Sequence, residues 1–196
     1  EGEFKTLVKE LHKAGIECIP EMYFTGKELP GEILSVLRYW VEEYHVDGFH
    51  LTGFPDLSLA AEDPFLKRTK LFAENWNEVM NRRPKQGYVT PGDGAVSVEE
   101  KNLAEYNMQF MEDMRRFLKG DEGMLSAFEF RNRRNPAEYA VIDYMANTNG
   151  FTLMDTVSYD RKHNEDNHED NRDGTDHNYS WNCGEEGPTR KKRIRD

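Results

Sequence analysis

Three side chains able to take part in acid–base or nucleophilic chemistry follow two predicted strands. His50 and Thr52 are two residues apart in the apolar run 46–53, and Glu74 ends the run 69–74. Because side chains alternate along a strand, His50 and Thr52 share one face, where an imidazole can serve a hydroxyl as base. A neutral hydroxyl is a poor nucleophile, so we do not expect this pair to be catalytic. A lone strand-end glutamate is ordinarily solvated or ion-paired.

Apolar strands alternate with amphipathic helices along the chain and place these residues. The pattern predicts helices over residues 4–14, 30–44 and 104–118, and strands over 16–24, 46–53, 69–74 and 140–146. Alternation of this kind predicts a parallel sheet with helices outside it. In such α/β folds, ligands bind at the carboxyl ends of the strands, which is where His50, Thr52 and Glu74 fall.

Composition limits the classes of partner. The chain has 196 residues, of which 37% are apolar and 12% aromatic, enough to fill a core. Its formal charge of −11 argues against nucleic acid or an anionic membrane as partner, so a neutral, hydroxyl-rich ligand fits better. Two isolated cysteines, Cys18 and Cys183, form neither a disulfide framework nor a metal motif. They favour a reducing, cytoplasmic location.

The last forty residues are polar and rich in Asn, Asp, Glu and His. Composition alone is typical of a disordered or metal-binding segment. However, His163, His168 and His177 lack regular spacing, and we expect them to be solvated or hydrogen-bonded rather than zinc ligands. We therefore expect no metal site and no cofactor.

Six segments of this chain resemble, in the same order, the glycogen-debranching and isoamylase branch of the α-amylase superfamily. The segments are FKTLVKELHKAGIE (4–17), WVEEYHVDGF (40–49), TKLFAENW (69–76), MRRFLKGD (114–121), GFTL (150–153) and NRDGT (171–175). The resemblance runs nearly from end to end, and several of the matches are longer than a generic pattern. It therefore identifies the chain as a member of this family.

The resemblance implies a (β/α)8 barrel that binds α-glucan at the carboxyl ends of its strands. On that template the chain covers roughly the second barrel helix to just before the eighth strand. Residues 1–196 would form one partial catalytic barrel, with residues 156–196 as a long polar loop region after the seventh strand. An incomplete barrel exposes sheet edges, so we expect pairing with the rest of the barrel or with an active paralogue.

The family cleaves its substrate with retention, which needs a carboxylate nucleophile, a carboxylic acid and a further stabilising Asp. In the first motif the family reads Asp-Val-Val-Tyr-Asn-His, and this chain reads Glu-Met-Tyr-Phe-Thr-Gly over residues 21–26. In the second motif, Asp-Gly-Phe-Arg-Phe-Asp, His50 replaces the Arg and Thr52 replaces the nucleophile. The resemblance therefore implies that both halves of an ion pair are lost together, since an unpaired buried guanidinium would be costly.

The third motif retains its catalytic carboxylate, and the fourth motif does not. Glu74 stands where the family has its general acid, with Trp76 close behind. In the fourth motif, the His-Asp before Gly-Phe-Thr-Leu is here Thr148-Asn149, so an amide replaces the stabilising carboxylate. An amide still forms hydrogen bonds with sugar hydroxyls.

These replacements predict a catalytically inactive pseudoenzyme that retains α-glucan binding. The expected ligand contacts are His50, Trp76, Thr148, Tyr23 and Phe24, beside the degenerate catalytic positions. One alternative is an active α-1,6 or α-1,4 glucan hydrolase that uses a displaced carboxylate, Asp56, with Glu74 as acid, although a turn carboxylate is the simpler interpretation of Asp56. The other alternative is a structural or regulatory subunit that binds no sugar.

Overall fold

A computed structural model of the chain describes residues 2–74, 76, 102–148 and 150–195. The described helices and strands alternate along most of the chain. In order they are α1 (Gly2–Lys13), β1 (Glu21–Phe24), α2 (Pro30–Tyr44), β2 (Gly48–Gly53), β3 (Lys70–Ala73), β4 (Leu103–Asn107), α3 (Met108–Lys119), α4 (Met124–Arg133), β5 (Ala140–Asp143) and α5 (Lys192–Arg195). None of the helices within the described ranges has the length and apolar character to cross a membrane.

The chain divides into two compact units. The first comprises Glu1–Tyr106 with Asn135–Ile142, and the second comprises Asn107–Arg134 with Asp143–Asp196. The sheet has the order β1-β2-β3-β4-β5, and the pairs β1·β2, β2·β3 and β3·β4 are parallel. This order advances without reversal, as in a (β/α)8 barrel and unlike the reversing order of doubly wound sheets. The predicted α/β class is thus confirmed.

Two helices cover one face of the sheet in the first unit. Pro30 occupies the first turn of α2, and the Glu32 carboxylate accepts a hydrogen bond from the Leu29 N–H at 2.8 Å. On α1, the Phe4 ring packs edge-on against Trp40 of α2, with 5.4 Å between the ring centroids. Phe49 of β2 belongs to the core of this unit and is 0% exposed. Its neighbours in sequence on β2 therefore face the opposite side of the sheet.

The largest differences between the predicted and observed elements lie at the starts of two of them. The first strand was expected from residue 16 but begins at Glu21, after Pro20, which has no N–H to donate to a ladder. The helix expected over 104–118 was wrong in its first turn, because residues 103–107 form β4. The Asn107 side chain accepts from the Phe110 N–H at 3.2 Å and caps the helix that follows.

Polar hydrogen bonds organise the second unit. Arg115 is 4% exposed, and its guanidinium donates to the carbonyl oxygens of Met145 and Asn178. In the polar segment, the Glu186 carboxylate accepts from the Asn182 side chain at 2.9 Å and from the Asp160 N–H at 2.7 Å. It also lies 3.1 Å from His163 Nε2, so this histidine is hydrogen-bonded, as one of the two expected states.

Candidate functional site

The sheet register of the first unit brings the polar side chains of three strands to one face. Glu21 of β1 pairs with His50 of β2, and Tyr23 pairs with Thr52. His50 in turn pairs with Phe72 of β3. Carried forward by two residues, this register places Glu74 beside Thr52 at the carboxyl ends of the strands. The sequence-predicted positions His50, Thr52 and Glu74 thus share one face.

His50 lies at the centre of this group. Its Nδ1 is 3.3 Å from the Glu21 Oε2, and its ring is tilted by 41° over the Tyr106 ring at 4.6 Å between centroids. The other ring nitrogen, Nε2, is buried and has no hydrogen-bond partner among the described residues. When Nδ1 carries the proton that faces this carboxylate, Nε2 is an acceptor in the neutral ring and a donor in the protonated ring.

The hydroxyl of Thr52 is engaged elsewhere. Its Oγ1 donates to the backbone carbonyl oxygen of Met22 at 3.4 Å. Because the Nδ1 of His50 faces Glu21, neither group is arranged as half of a nucleophile–base pair. The position that the family motif gives to the nucleophile therefore holds a neutral, backbone-bonded hydroxyl.

Glu74 has the electrostatics of a proton donor. Its side chain reaches solvent, but partial desolvation of the carboxyl raises its pKa above the ordinary 4.5. The nearby His50 opposes that rise in pKa, and the negative charge of Glu21 reinforces it. Desolvation also raises the pKa of Tyr106, with smaller contributions from Glu21 and Glu74. A raised pKa is the direction that favours the role of a general acid.

Two of the expected ligand contacts lie in the core instead. Trp76 is 0% exposed, and its indole Nε1–H donates to the Leu71 carbonyl oxygen at 3.2 Å. Phe24 is 7% exposed and belongs to the same hydrophobic cluster. Neither ring presents a face to a ligand in this structure. Tyr23, by contrast, is 68% exposed.

The remaining sequence-predicted residues lie elsewhere. Thr148 is exposed and belongs to the second unit, and Asn149 falls outside the described residues. Asp56, the displaced carboxylate of the hydrolase alternative, accepts from the Ser58 N–H at 3.1 Å in the turn after β2. That contact is typical of an Asp that stabilises a turn.

Sequence reasoning missed the partners of His50. Glu21 had been matched to the first motif, but its pairing with His50 depends on the register between β1 and β2. Tyr106 fell inside a predicted helix, which hid its place at a strand end. The helix cap at Asn107 was the available signal for the end of this strand.

An unreversed parallel sheet with carboxylate, imidazole and hydroxyl side chains at one edge defines an α/β protein of barrel type with a strand-end site. No family model matches the chain. Curated relatives do. They include isoamylase 3 (chloroplastic) of Oryza sativa subsp. japonica, 32% identical over 98% of this chain and 32% of that protein. The glycogen debranching enzyme of Serratia proteamaculans is 32% identical over 95% of this chain and 36% of its own length.

A glycogen operon protein GlgX homolog of Mycobacterium tuberculosis is also 32% identical, over 96% of this chain and 34% of that protein. The chain belongs to the glycogen-debranching and isoamylase branch of the α-amylase superfamily. It spans about a third of the length of these relatives. Their matched regions extend over 271, 251 and 260 positions, more than the 196 residues of this chain. The relatives therefore carry insertions that have no counterpart here.

Proposed function

We propose that this chain is a catalytically inactive, α-glucan-binding domain of the debranching type, acting in carbohydrate metabolism. The observation that carries the proposal is the end of β2, where Thr52 donates its hydroxyl to the Met22 carbonyl. Retaining hydrolysis needs a carboxylate at that place to form the glycosyl intermediate. Loss of a nucleophile commonly lowers the rate by about 10⁴ to 10⁶.

The charge pattern around Thr52 supports lost turnover. In the family motif an Arg holds the nucleophilic carboxylate in place, whereas here His50 pairs with Glu21. The imidazole lies beside the Glu21 carboxylate and also opposes the rise in the Glu74 pKa, so it is not dedicated to a carboxylate at position 52. The nucleophile and its cation are therefore replaced together.

Ligand binding is supported by what the site keeps. The His50 ring lies between Glu21 and Tyr106 on the face that carries Thr52, and its Nε2 has no hydrogen-bond partner among the described residues. Glu74 with its raised pKa can donate to or accept from a hydroxyl. Tyr23 adds an exposed ring. Thr148 and Asn149 enter the proposal through the fourth family motif alone, and the two free thiols support a cytoplasmic location.

The test measures binding and turnover on the same protein. We expect isothermal titration calorimetry to detect maltoheptaose binding, and reducing-sugar assays with glycogen and pullulan to show no release above buffer. His50→Ala should weaken binding, because it removes the side chain that contacts both Glu21 and Tyr106 at this face. The exposed Lys9→Ala on α1 is the control and should bind as the wild type does.

Two results would contradict the proposal. Sugar release that disappears in Glu74→Gln would establish an active hydrolase, and Asp56→Asn would then show whether that carboxylate is the nucleophile. No heat with any maltooligosaccharide would instead favour a structural or regulatory subunit. Pairing with the rest of a barrel or with an active paralogue remains a prediction.

A further inference from the structure

Two aromatic side chains stand exposed beside the strand-end site. Tyr23, in β1, is 68% exposed, and Phe54, directly after β2, is 74% exposed. Tyr23 is the register partner of Thr52, so its ring flanks the degenerate nucleophile position. Burial of large aromatic side chains is favourable, so adjacent exposed ones commonly mark a binding surface.

Backbone contacts bring Tyr23 and Phe54 next to each other. The Phe54 N–H donates to the Phe24 carbonyl oxygen at 2.9 Å, which joins the turns that follow β1 and β2. Gly53 has φ 81°, and a Cβ added there would lie 2.8 Å from Cε2 of the Tyr23 ring. A Cβ added at Gly26 would lie 3.0 Å from the Phe54 Cβ. The Tyr23 ring therefore lies against Gly53, the residue that precedes Phe54.

We propose that Tyr23 and Phe54 form an aromatic platform on which glucosyl units of the bound α-glucan stack. This inference rests on the proposed function and adds the subsite that holds the glucan beside His50, Glu21 and Thr52. Pyranose rings have apolar C–H faces that pack on aromatic rings and hydroxyl edges that hydrogen-bond. The platform offers both, because the Tyr23 hydroxyl is a donor and acceptor at the edge of its ring.

The surrounding charge selects a neutral occupant. Glu21 lies on the same face of β1 as Tyr23 and its side chain is 59% exposed. Glu28, in the turn after β1, has a lowered pKa, mainly through a backbone hydrogen bond, and so stays ionised. Two carboxylates beside the platform repel an anionic partner. A neutral glucan meets no such repulsion and can hydrogen-bond these oxygens.

The experiment uses calorimetry with maltoheptaose on the wild type and on Tyr23→Ala, Phe54→Ala and the double variant. Each single variant should bind about tenfold more weakly, as for aromatic residues at the centre of an interface. Tyr23→Phe keeps the ring and should lose less affinity than Tyr23→Ala. Phe130→Ala, which removes a 60% exposed ring from α4, is the matched control and should bind as the wild type.

The outcomes separate the platform from the proposed function. Wild-type binding with all platform variants within twofold would overturn the platform and leave the proposed function standing. No binding by the wild type would overturn the proposed function and the platform with it. If light scattering showed that the double variant changes oligomeric state while glucan affinity is unchanged, the rings would be a protein interface. Far-UV circular dichroism of each variant shows whether lost binding comes from lost folding.

Discussion

Substitutions at Trp76 test whether this residue packs the core or binds a ligand. It is the largest fully buried side chain in the described part of the protein, and its indole N–H is bonded to the Leu71 carbonyl at 3.2 Å. Trp76→Ala should therefore cost about 3–5 kcal/mol in the free energy of unfolding, because it leaves a large cavity. Trp76→Phe keeps one aromatic ring but loses the hydrogen bond, so this variant should be less stable than the wild type by about 1–2 kcal/mol. Domains are stable by only about 5–15 kcal/mol, so the Ala variant should be close to unfolding.

Urea unfolding measures these costs. Far-UV circular dichroism is the signal to follow, because the substitutions themselves alter tryptophan fluorescence. Trp181→Ala is the control, because Trp181 is 52% exposed and its loss should change stability by less than about 0.5 kcal/mol. Maltoheptaose affinity of Trp76→Phe, which should remain folded, completes the test. A Trp76→Ala protein with wild-type stability and no glucan binding would refute the packing role and make Trp76 a ligand contact.

Three further predictions concern stability. Burial raises the pKa of Glu74, so the folded state binds the proton of this carboxyl more tightly than the unfolded state does. The folded state therefore loses stability as pH rises from 4.5 through the folded pKa. Between urea titrations at pH 4 and pH 7, the free energy of unfolding should fall less in Glu74→Gln than in the wild type. Hydrogen bonds, first from Asn182, lower the pKa of Glu186 to about 2. The ionised Glu186 therefore stabilises the folded state above pH 4.5, and this contribution is lost as pH falls toward 2. In Glu186→Gln the free energy of unfolding should depend less on pH over this range. Gly53→Ala should lower the unfolding midpoint in urea, since φ 81° alone costs about 1–2 kcal/mol, whereas Gly31→Ala, with open space around it in α2, should not.

Helices with a clear apolar stripe were predictable, and the junction at Asn107 was not. Residues 30–44 show helical spacing after Pro30, and α2 spans Pro30–Tyr44 as predicted. At residues 103–107 a buried strand runs directly into a helix, and neither Gly nor Pro separates the two. Only the cap formed by Asn107 on Phe110 marks the change, and Asn is too common in other roles to identify a cap by itself.

The site was predictable as a set of positions but not as a set of contacts. The family motifs locate His50, Thr52 and Glu74, and the sheet places all three on one face. They do not show that His50 pairs with Glu21, because that contact depends on register between two strands. They also do not distinguish a tryptophan that stacks on sugar from one that fills the core, since Trp suits both environments.

The pairing of His50 with Glu21 also limits how this site can change. A carboxylate at position 52 would lie next to Glu74 in the register, on a face that already carries Glu21. Three carboxylates would then share one imidazole, which is a weaker and titratable cation compared with a guanidinium. Like charges in a partly desolvated site raise one another's pKa, so such a carboxylate would tend to be protonated and a poor nucleophile. A carboxylate nucleophile at position 52 would therefore need a permanent cation as its partner, and position 50 holds a histidine.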